Sequence, residues 1–577
     1  MNIAEYIIQH LEDIGVKHIF TVVGGGAIFL DDALSNSKKI KPIFCLHEQA
    51  AAIAAEAYSQ AGGIGVVLVT TGPGVTNALT GVAGAYLEST PLLVISGQVN
   101  TFHSAKQFGT RQFGFQEIDT EAIVTPIVKQ YWKIYPENLR EKLQDLLVTM
   151  CSGRPGPVWL DIPLDVQGST PVKFTEDKNK VDTRKKDLSL AKETADLLIK
   201  RIELAKKPAI LIGNGVRLAH VEKECKELIG KLNIPVLCTW KTFDMFKQDD
   251  LLYMGRPGIV ASRYANEIQQ ECDLLLCLGA RLDLGQVAFN YENFAPKAQK
   301  IIFDIDENES TKWARIKNTS FGHYNLESVI PELLESSNVL PKTPWLEHCQ
   351  TLKKKYNLKE EHSKNPNFNY YKILNHIEEG LQDGDIIVHG SSGSCSEMTC
   401  QALETNKDIR VIGTHGLGSM GFGLPAAIGA HFATGKRIIC IEGDGSLAMN
   451  IQELELIKRY NLPICIIVLN NNGYSSIVNT QNKLFDGKHF GSNPASGLTL
   501  PNYRDIAIAF EIDYYHINSS TIKEPYTNML QVRRPVIHEV FLDEKDTVSY
   551  PRTHTKMIDG QITTMPMEDL WPEETTE

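Results

Sequence analysis

Eight short runs rich in Val, Ile and Leu constrain the fold of this chain more than any other feature. They are GVVLVTTG (65–72), PLLVISG (91–97), PVWLDIP (157–163), PAILIGNG (208–215), DLLLCLGA (273–280), DIIVHG (385–390), RIICIEGDG (437–445) and PICIIVLNN (463–471). A continuous apolar run without polar alternation marks a strand buried on both faces, as in a parallel sheet. The helix-like stretches between the runs are long enough to carry the chain back across such a sheet. Two polar stretches interrupt the rhythm: STPVKFTEDKNKVDTRKKDL (169–188) and ESSNVLPKTP (335–344), the latter followed by Lys353-Lys354-Lys355. Read as linkers, they divide the 577 residues into three doubly wound parallel-sheet α/β domains, at 1–168, 189–335 and 365–577. A chain this long exceeds a single core. The acidic segment 568–577 is expected to be a surface extension.

Composition removes several classes of function. The formal net charge of -12 argues against nucleic acid as a partner, since phosphate binding needs clustered Lys and Arg. No apolar run reaches the roughly 18 residues of a membrane span, so no membrane partner is expected. The first residues, MNIAEYIIQHLEDIG, have the pattern of an amphipathic helix and lack the features of a signal peptide. Eleven cysteines with no C-x-x-C pair fit reduced, buried thiols in a cytoplasmic protein.

The chemistry concentrates at two distant places. In the last third, one strand ends at Gly443-Asp444-Gly445 and leads into a helical pattern beginning at Ser446, while the next strand ends at Asn470-Asn471. Asp444 and Asn471 are 27 residues apart, about one strand–helix–strand crossover. Both therefore sit at carboxyl ends of strands, where open α/β sheets bind ligands. Oxygen donors of this kind suit a hard cation such as Mg²⁺ that bridges to phosphates. The flanking glycines let the backbone approach a diphosphate at a helix N-terminus. Far upstream, LHEQAAAIAAEAYSQAGG places Glu48 at the start of an Ala-rich helix. On its own such a glutamate is an ordinary helix-start carboxylate. A third segment, GLGSMGFGLPAAIGA (416–430), puts Met420 in a Gly-rich loop. Residues 416–421 also fit G-x-G-x-x-G, with Glu442 ending the next strand, which is the pattern of an NAD-dependent dehydrogenase. That reading leaves Glu48 and the Asp444–Asn471 pair unexplained.

Taken together, GDG…NN, HEQAA…AAEAY and GLGSMGFG resemble the thiamine-diphosphate-dependent enzymes, and specifically the acetolactate synthase (acetohydroxyacid synthase large subunit)-like family. GGGAIF (24–29), TTGPGVTNALTGVAGA (70–85), FQEID (115–119) and GRPGPVWLDIPLDVQ (153–167) extend the likeness over nearly the whole chain. The resemblance implies pyrimidine-binding, central and diphosphate-binding domains in that order, with thiamine diphosphate and Mg²⁺ as cofactors. It implies Asp444, the Asn471 side chain and the Gly473 carbonyl as metal ligands, with Gly443, Gly445, Ser446 and Asn471 around the diphosphate. Met420 would wedge between the cofactor's rings, and the Gly418 carbonyl would hold its amino group. Glu48 would exchange a proton with the aminopyrimidine, Gly26 N–H would meet a developing oxyanion and Gln116 would contact substrate. The active site would lie between two chains, giving a homodimer or homotetramer. The reaction implied is decarboxylation of a 2-keto acid, pyruvate by default, and transfer of a two-carbon unit to a second carbonyl compound.

Departures from the family pattern bear on the acceptor and on flavin. A tryptophan usual in the segment after the NN motif is Thr480 here. The lysine usual in P-K-D-V is Leu164, and the run after G-A-R reads Leu282-Asp283-Leu284-Gly285, so FAD is a doubtful cofactor even though Arg154, Arg281 and Gly213-Asn214-Gly215 remain. The expected function is therefore a carboligase using a keto-sugar or second keto acid as acceptor. The close alternative is an authentic acetolactate synthase, and the alternative of another class is a non-catalytic regulatory or assembly relative.

Overall fold

The computed structural model describes residues 1–171, 189–391, 393–522, 530, 534–543, 548–558 and 561–572. Each of the eight apolar runs contains a strand of a wholly parallel sheet. The first domain holds β1 (His18–Thr21), β2 (Lys41–Phe44), β3 (Gly65–Val69), β4 (Leu92–Gln98), β5 (Gln130–Lys133) and β6 (Pro157–Pro163), in the spatial order β2-β1-β3-β4-β6-β5. The central domain holds β7 (Pro208–Ile212), β8 (Val236–Cys238), β9 (Leu274–Leu278), β10 (Gln299–Asp304) and β11 (Thr319–His323), ordered β11-β10-β9-β7-β8. The third holds β12 (Ile386–His389), β13 (Arg410–Ile412), β14 (Ile438–Gly443), β15 (Ile464–Asn470), β16 (Asp513–Ile517) and β17 (Val536–Phe541), ordered β13-β12-β14-β15-β17-β16. Counted within its own domain, each six-stranded sheet runs 2-1-3-4-6-5, so the first and third domains share one topology. Their strand order reverses beside the strand that leads to the Thr70–Asn77 segment (β3) and beside the one that leads to Asp444 (β14), the places where such sheets open a crevice.

The alanines of the helix Glu48–Gln60 follow from its position. It lies between the helices Pro73–Leu87 and Gly423–Thr434, which approach it from two domains. A Cβ on Gly81 would come within 2.6 Å of the Ala52 Cβ, and one on Gly429 within 1.9 Å of the Ala54 carbonyl oxygen. Larger side chains on any of these helices would force the backbones apart. One continuous core results, in which Phe20, Ala54 and Val94 of the first domain join Ile428 and Ile464 of the third.

Two boundary expectations change. Lys353-Lys354-Lys355 is not linker but the last turn of the helix Pro344–Lys355, whose Trp345, Leu346, Cys349 and Leu352 bury into the central core. The apolar spacing of that helix is masked in the sequence by the lysines of its polar face. The segment read as an acidic surface extension is pinned to the central domain as far as Pro572. Asn266 donates to the Met567 carbonyl at 2.8 Å, Gln270 to Glu568 at 2.9 Å, and Leu570 is buried. Residues 573–577 and most of the first linker (172–188) lie outside the described residues. Among the described residues no helix is long and apolar enough to cross a membrane.

All three domains meet at Lys241. Its ammonium, on the central domain, bonds Glu88 of the first domain at 2.7 Å and the Gly413 carbonyl of the third at 2.6 Å. Burial alone would raise the Glu88 carboxyl, but Lys241 and the His415 and Gly416 N–H groups hold it down at about 2. Removing one partner of a buried pair strands the other charge. Lys241→Met is therefore expected to destabilise the protein by about 3–5 kcal/mol, read as a lowered denaturant midpoint, whereas a change under about 1 kcal/mol would mean that Glu88 is effectively solvated.

Candidate active site

The first-domain candidates converge on one short segment, Thr70–Asn77, which ends β3 and opens the helix Pro73–Leu87. Glu48 starts its helix under a cap from His47, whose Nδ1 accepts from the Gln49 N–H at 3.1 Å. It is 8% exposed, and its Oε2 accepts from Asn77 Nδ2 at 2.9 Å, leaving Oε1 outside that contact. Gly26 N–H donates to Thr70 Oγ1 at 3.0 Å, and its carbonyl accepts from Gln167 at 2.8 Å. A Cβ on Gly26 would sit 2.8 Å from Thr71 Cγ2, so the glycine loop can dock here only without side chains. Gln116 has φ +61°, and its carbonyl oxygen lies 2.4 Å from where a Cβ on Gly72 would be. The amide assigned to the oxyanion by resemblance is thus held by Thr70, and serves an oxyanion only once that hydroxyl releases it.

The third-domain candidates converge in the same way. Asp444 follows β14, and Asn471 and Gly473 follow β15. Asp444 accepts from the N–H groups of Gly445 at 2.8 Å, Asn471 at 3.2 Å and Gly473 at 3.0 Å, while Tyr503 donates to its backbone carbonyl. Burial pushes its carboxyl up to about 6 against the pull of those N–H groups. Asn471 Nδ2 donates to Ser475 at 3.1 Å, but its buried Oδ1 has no hydrogen-bond partner. Gly473 has φ +146°, and a Cβ there would strike the Ser492 carbonyl oxygen at 2.4 Å. A half-compensated carboxylate beside an orphaned amide oxygen is what a hard divalent cation satisfies. Gly443 and Gly445 are buried in the turn, and a Cβ on Gly445 would meet the Tyr474 ring at 2.2 Å.

The Gly-rich loop is tied to this turn. Gly421 N–H donates to Ser446 Oγ at 2.8 Å, and the Gly421 carbonyl accepts from Asn450 at 2.7 Å. Met420 is half-buried, and Gly418 is exposed with φ +63°. Hydrogen bonds also join the two halves within one chain: Glu453 accepts from the Leu46 N–H at 2.9 Å, two residues before Glu48. Sequence reading missed Glu453, and it saw Glu442 only as the acid of a dinucleotide pattern. Glu442 is fully buried and pushed up to about 7 by burial. Gly390 and Gly423 flank it so closely that a Cβ on either would lie 2.0 Å or 2.1 Å from its carboxylate. Those two glycines were the signal available.

This geometry coincides with what sequence comparison finds. Residues 1–123 match the thiamine pyrophosphate enzyme N-terminal TPP binding domain, 195–323 the central domain and 391–540 the C-terminal TPP binding domain. The acetolactate synthase isozyme 2 large subunit of Escherichia coli K12 is 32% identical over 558 residues, covering 95% of this chain and 97% of that relative. The chain belongs to the thiamine diphosphate enzymes of the acetolactate synthase large-subunit family. The isozyme 1 large subunit of the same organism is 31% identical over 555 residues, covering 95% of each chain. A probable acetolactate synthase large subunit of Methanocaldococcus jannaschii is 32% identical over 573 residues, covering 95% of this chain and 93% of its own length. As a member of this family the protein is a carbon–carbon bond-forming enzyme that uses thiamine diphosphate with Mg²⁺. The family accounts for the 416–421 loop without a dinucleotide.

The residues that kept flavin open have other work in this fold. Arg154 pairs with Asp306 at 2.9 Å and Glu309 at 3.1 Å, bridging the first and central domains. Arg281 donates to the Leu87 carbonyl at 2.8 Å and to Asp283 at 2.9 Å. Gly213 and Gly215 face Gly279, where Cβ atoms would come within 2.4 Å and 2.7 Å of backbone. Interdomain contact and close packing explain these residues, and FAD stays a doubtful cofactor.

Proposed function

We propose that this enzyme transfers a two-carbon unit from pyruvate to a carbonyl acceptor bulkier or more polar than pyruvate, such as a keto-sugar or a larger keto acid. One observation carries the reading. Thr480, where the family usually has tryptophan, lies on the helix Ser475–Leu484, which holds no buried residue. Its hydroxyl turns back onto the Ser476 carbonyl at 2.9 Å, so the position projects almost nothing. An indole there would add bulk to the helix that follows the metal turn, and threonine does not. When bound, thiamine diphosphate supplies the electron sink for loss of carbon dioxide. The chain's part is to hold the metal with Asp444, Asn471 and Gly473, to shape the cofactor with Met420 and Gly418, and to move a proton through Glu48. Gln116 and, after rearrangement, Gly26 face the substrate.

A second copy of the chain completes the site in this reading, as homodimer or homotetramer. Phe44 and Leu46 beside Glu48 are 43% and 49% exposed, and Met449 and Ile477 beside the metal turn are both 48% exposed. Apolar exposure concentrated around a site marks an interaction surface. All eleven cysteines are free, which fits the reducing cytoplasm.

Mass spectrometry of products from labelled pyruvate with a panel of keto acids and nucleotide keto-sugars tests the acceptor. Crossed products should dominate, and Thr480→Trp should cut them at least about tenfold relative to acetolactate. Robust acetolactate from pyruvate alone, unchanged by the panel, would instead make the protein an authentic acetolactate synthase, the activity its relatives are named for.

A further inference from the structure

Toward the β13 edge of the third sheet, next to the strand that leads to Asp444, three side chains of quite different character converge. His389 ends β12, Cys400 lies on the short helix Thr399–Ala402, and His415 follows β13. One ligand atom from each lies within 4.8 Å of the other two. The Cys400 Sγ is 3.5 Å from His389 Nε2, and the two imidazole centroids are 5.2 Å apart. We propose that His389, Cys400 and His415 form a second metal site, for a borderline-soft divalent cation of the Zn²⁺ class, separate from the Mg²⁺ site.

The orientation of His389 is the strongest argument. Its Nδ1 lies 2.9 Å from the Gly390 carbonyl oxygen, which can only accept, so Nδ1 carries the proton and Nε2 presents a lone pair toward the thiol. Ligating histidines are held in this way, the far ring nitrogen donating to a backbone carbonyl. The ring cannot swing away, because Gly413 packs against it so tightly that a Cβ there would lie 2.2 Å from the imidazole. Neutral imidazole is the ligating form. A tetrahedral zinc site with one thiolate and two imidazoles puts its ligand atoms about 3.3–3.8 Å apart. The Cys400–His389 separation already satisfies this, and closing the rest needs a movement of about 1 Å at His415.

Glu88, paired with Lys241 at 2.7 Å, is the anion that faces the two histidines of the cluster, against Lys241, Arg256 and Arg281, so the thiolate formed on binding has to supply the negative charge that holds the metal. Binding releases the thiol proton and forms the metal–sulfur bond, which leaves a net charge of +1 in the cluster. The donor sets separate the two metals: nitrogen and sulfur here, oxygen at Asp444 and Asn471. Three protein ligands leave a fourth position open for water. Such a centre would tie β12, the Cys400 helix and β13 together at the root of the Met420 loop, and it does not depend on which acceptor the enzyme uses.

The test strips the full protein of metal on a chelating resin, then loads it with thiamine diphosphate and excess Mg²⁺, and titrates with Co²⁺ as an optical probe while that Mg²⁺ is kept in large excess. One equivalent of Co²⁺ per chain should bind with a thiolate-to-metal charge-transfer band, and Zn²⁺ should displace it. Cys400→Ala should abolish the band. His415→Gln should weaken binding by more than the ~10–100-fold typical for loss of a second-sphere group. Absence of the band in the unmodified protein, or a band of equal strength in Cys400→Ala, overturns the proposal. If Cys400→Ala does not fold by circular dichroism, His415→Gln decides, because that side chain is only partly buried and unchanged Co²⁺ affinity there excludes the site.

Discussion

Glu48→Gln is expected to lower kcat by about 10²–10⁴-fold, the range lost when a positioned general acid–base group is removed, while thiamine diphosphate and Mg²⁺ still bind. The split follows from where the side chain sits. Glutamine keeps the shape and one carbonyl oxygen, so the contact from Asn77 Nδ2 at 2.9 Å can persist and the helix start is undisturbed. In the proposed site the diphosphate and metal are held by the third domain, on the turn of Asp444 and Asn471. What glutamine cannot do is take up and return a proton at the oxygen not bonded to Asn77. Cofactor affinity measured by thermal shift should therefore stay within about tenfold, 1.4 kcal/mol, as turnover collapses. Turnover that survives in the variant would remove Glu48 from the proton path and return it to an ordinary helix-start carboxylate.

Much of this arrangement was legible because burial on both faces leaves few residue choices. β3, β4, β14 and β15 each carry an unbroken apolar run, VVLV, LLVI, IICI and ICIIVL, and were visible as strands at once. Edge strands were not. Gln130–Lys133, Thr319–His323 and Asp513–Ile517 each close one side of a sheet, are partly solvated and mix polar with aromatic residues. Their strand character depends on a neighbour, not on local pattern. The site divides similarly. Asp444 and Asn471 stood out because both lie at the ends of adjacent strands, one crossover apart. The docking of Gly26 on Thr70 and of Gln116 on Gly72 was invisible, since nothing local in either segment names its partner. The same holds for Lys241 with Glu88 and for the His389, Cys400 and His415 cluster, whose members follow no ligand spacing and meet only because β12 and β13 are neighbours.

Metal affinity should depend on pH through Asp444. Its carboxyl, pushed up to about 6 by burial, binds a proton more tightly in the folded protein than in the unfolded chain, where an aspartate titrates near ~3.9. Its contribution to the metal-free fold is accordingly present below about pH 4 and is lost as pH rises toward about 6. Above that range the fold carries a buried charge that the three N–H donors only partly offset, a cost on the order of 3 kcal/mol. A cation that binds the carboxylate must displace the proton at low pH and cancels the cost at high pH. Apparent Mg²⁺ affinity, measured calorimetrically with thiamine diphosphate present, should be flat above about pH 6 and fall toward tenfold per pH unit below it. The melting-point gain from Mg²⁺ should shrink in parallel. Asp444→Asn removes the titrating group, so what little metal binding remains should lose its pH dependence across this window. A wild-type affinity flat from pH 5 to pH 7.5 would place the metal on other oxygens, and the pairing of Asp444 with the orphaned Asn471 Oδ1 would need a different explanation.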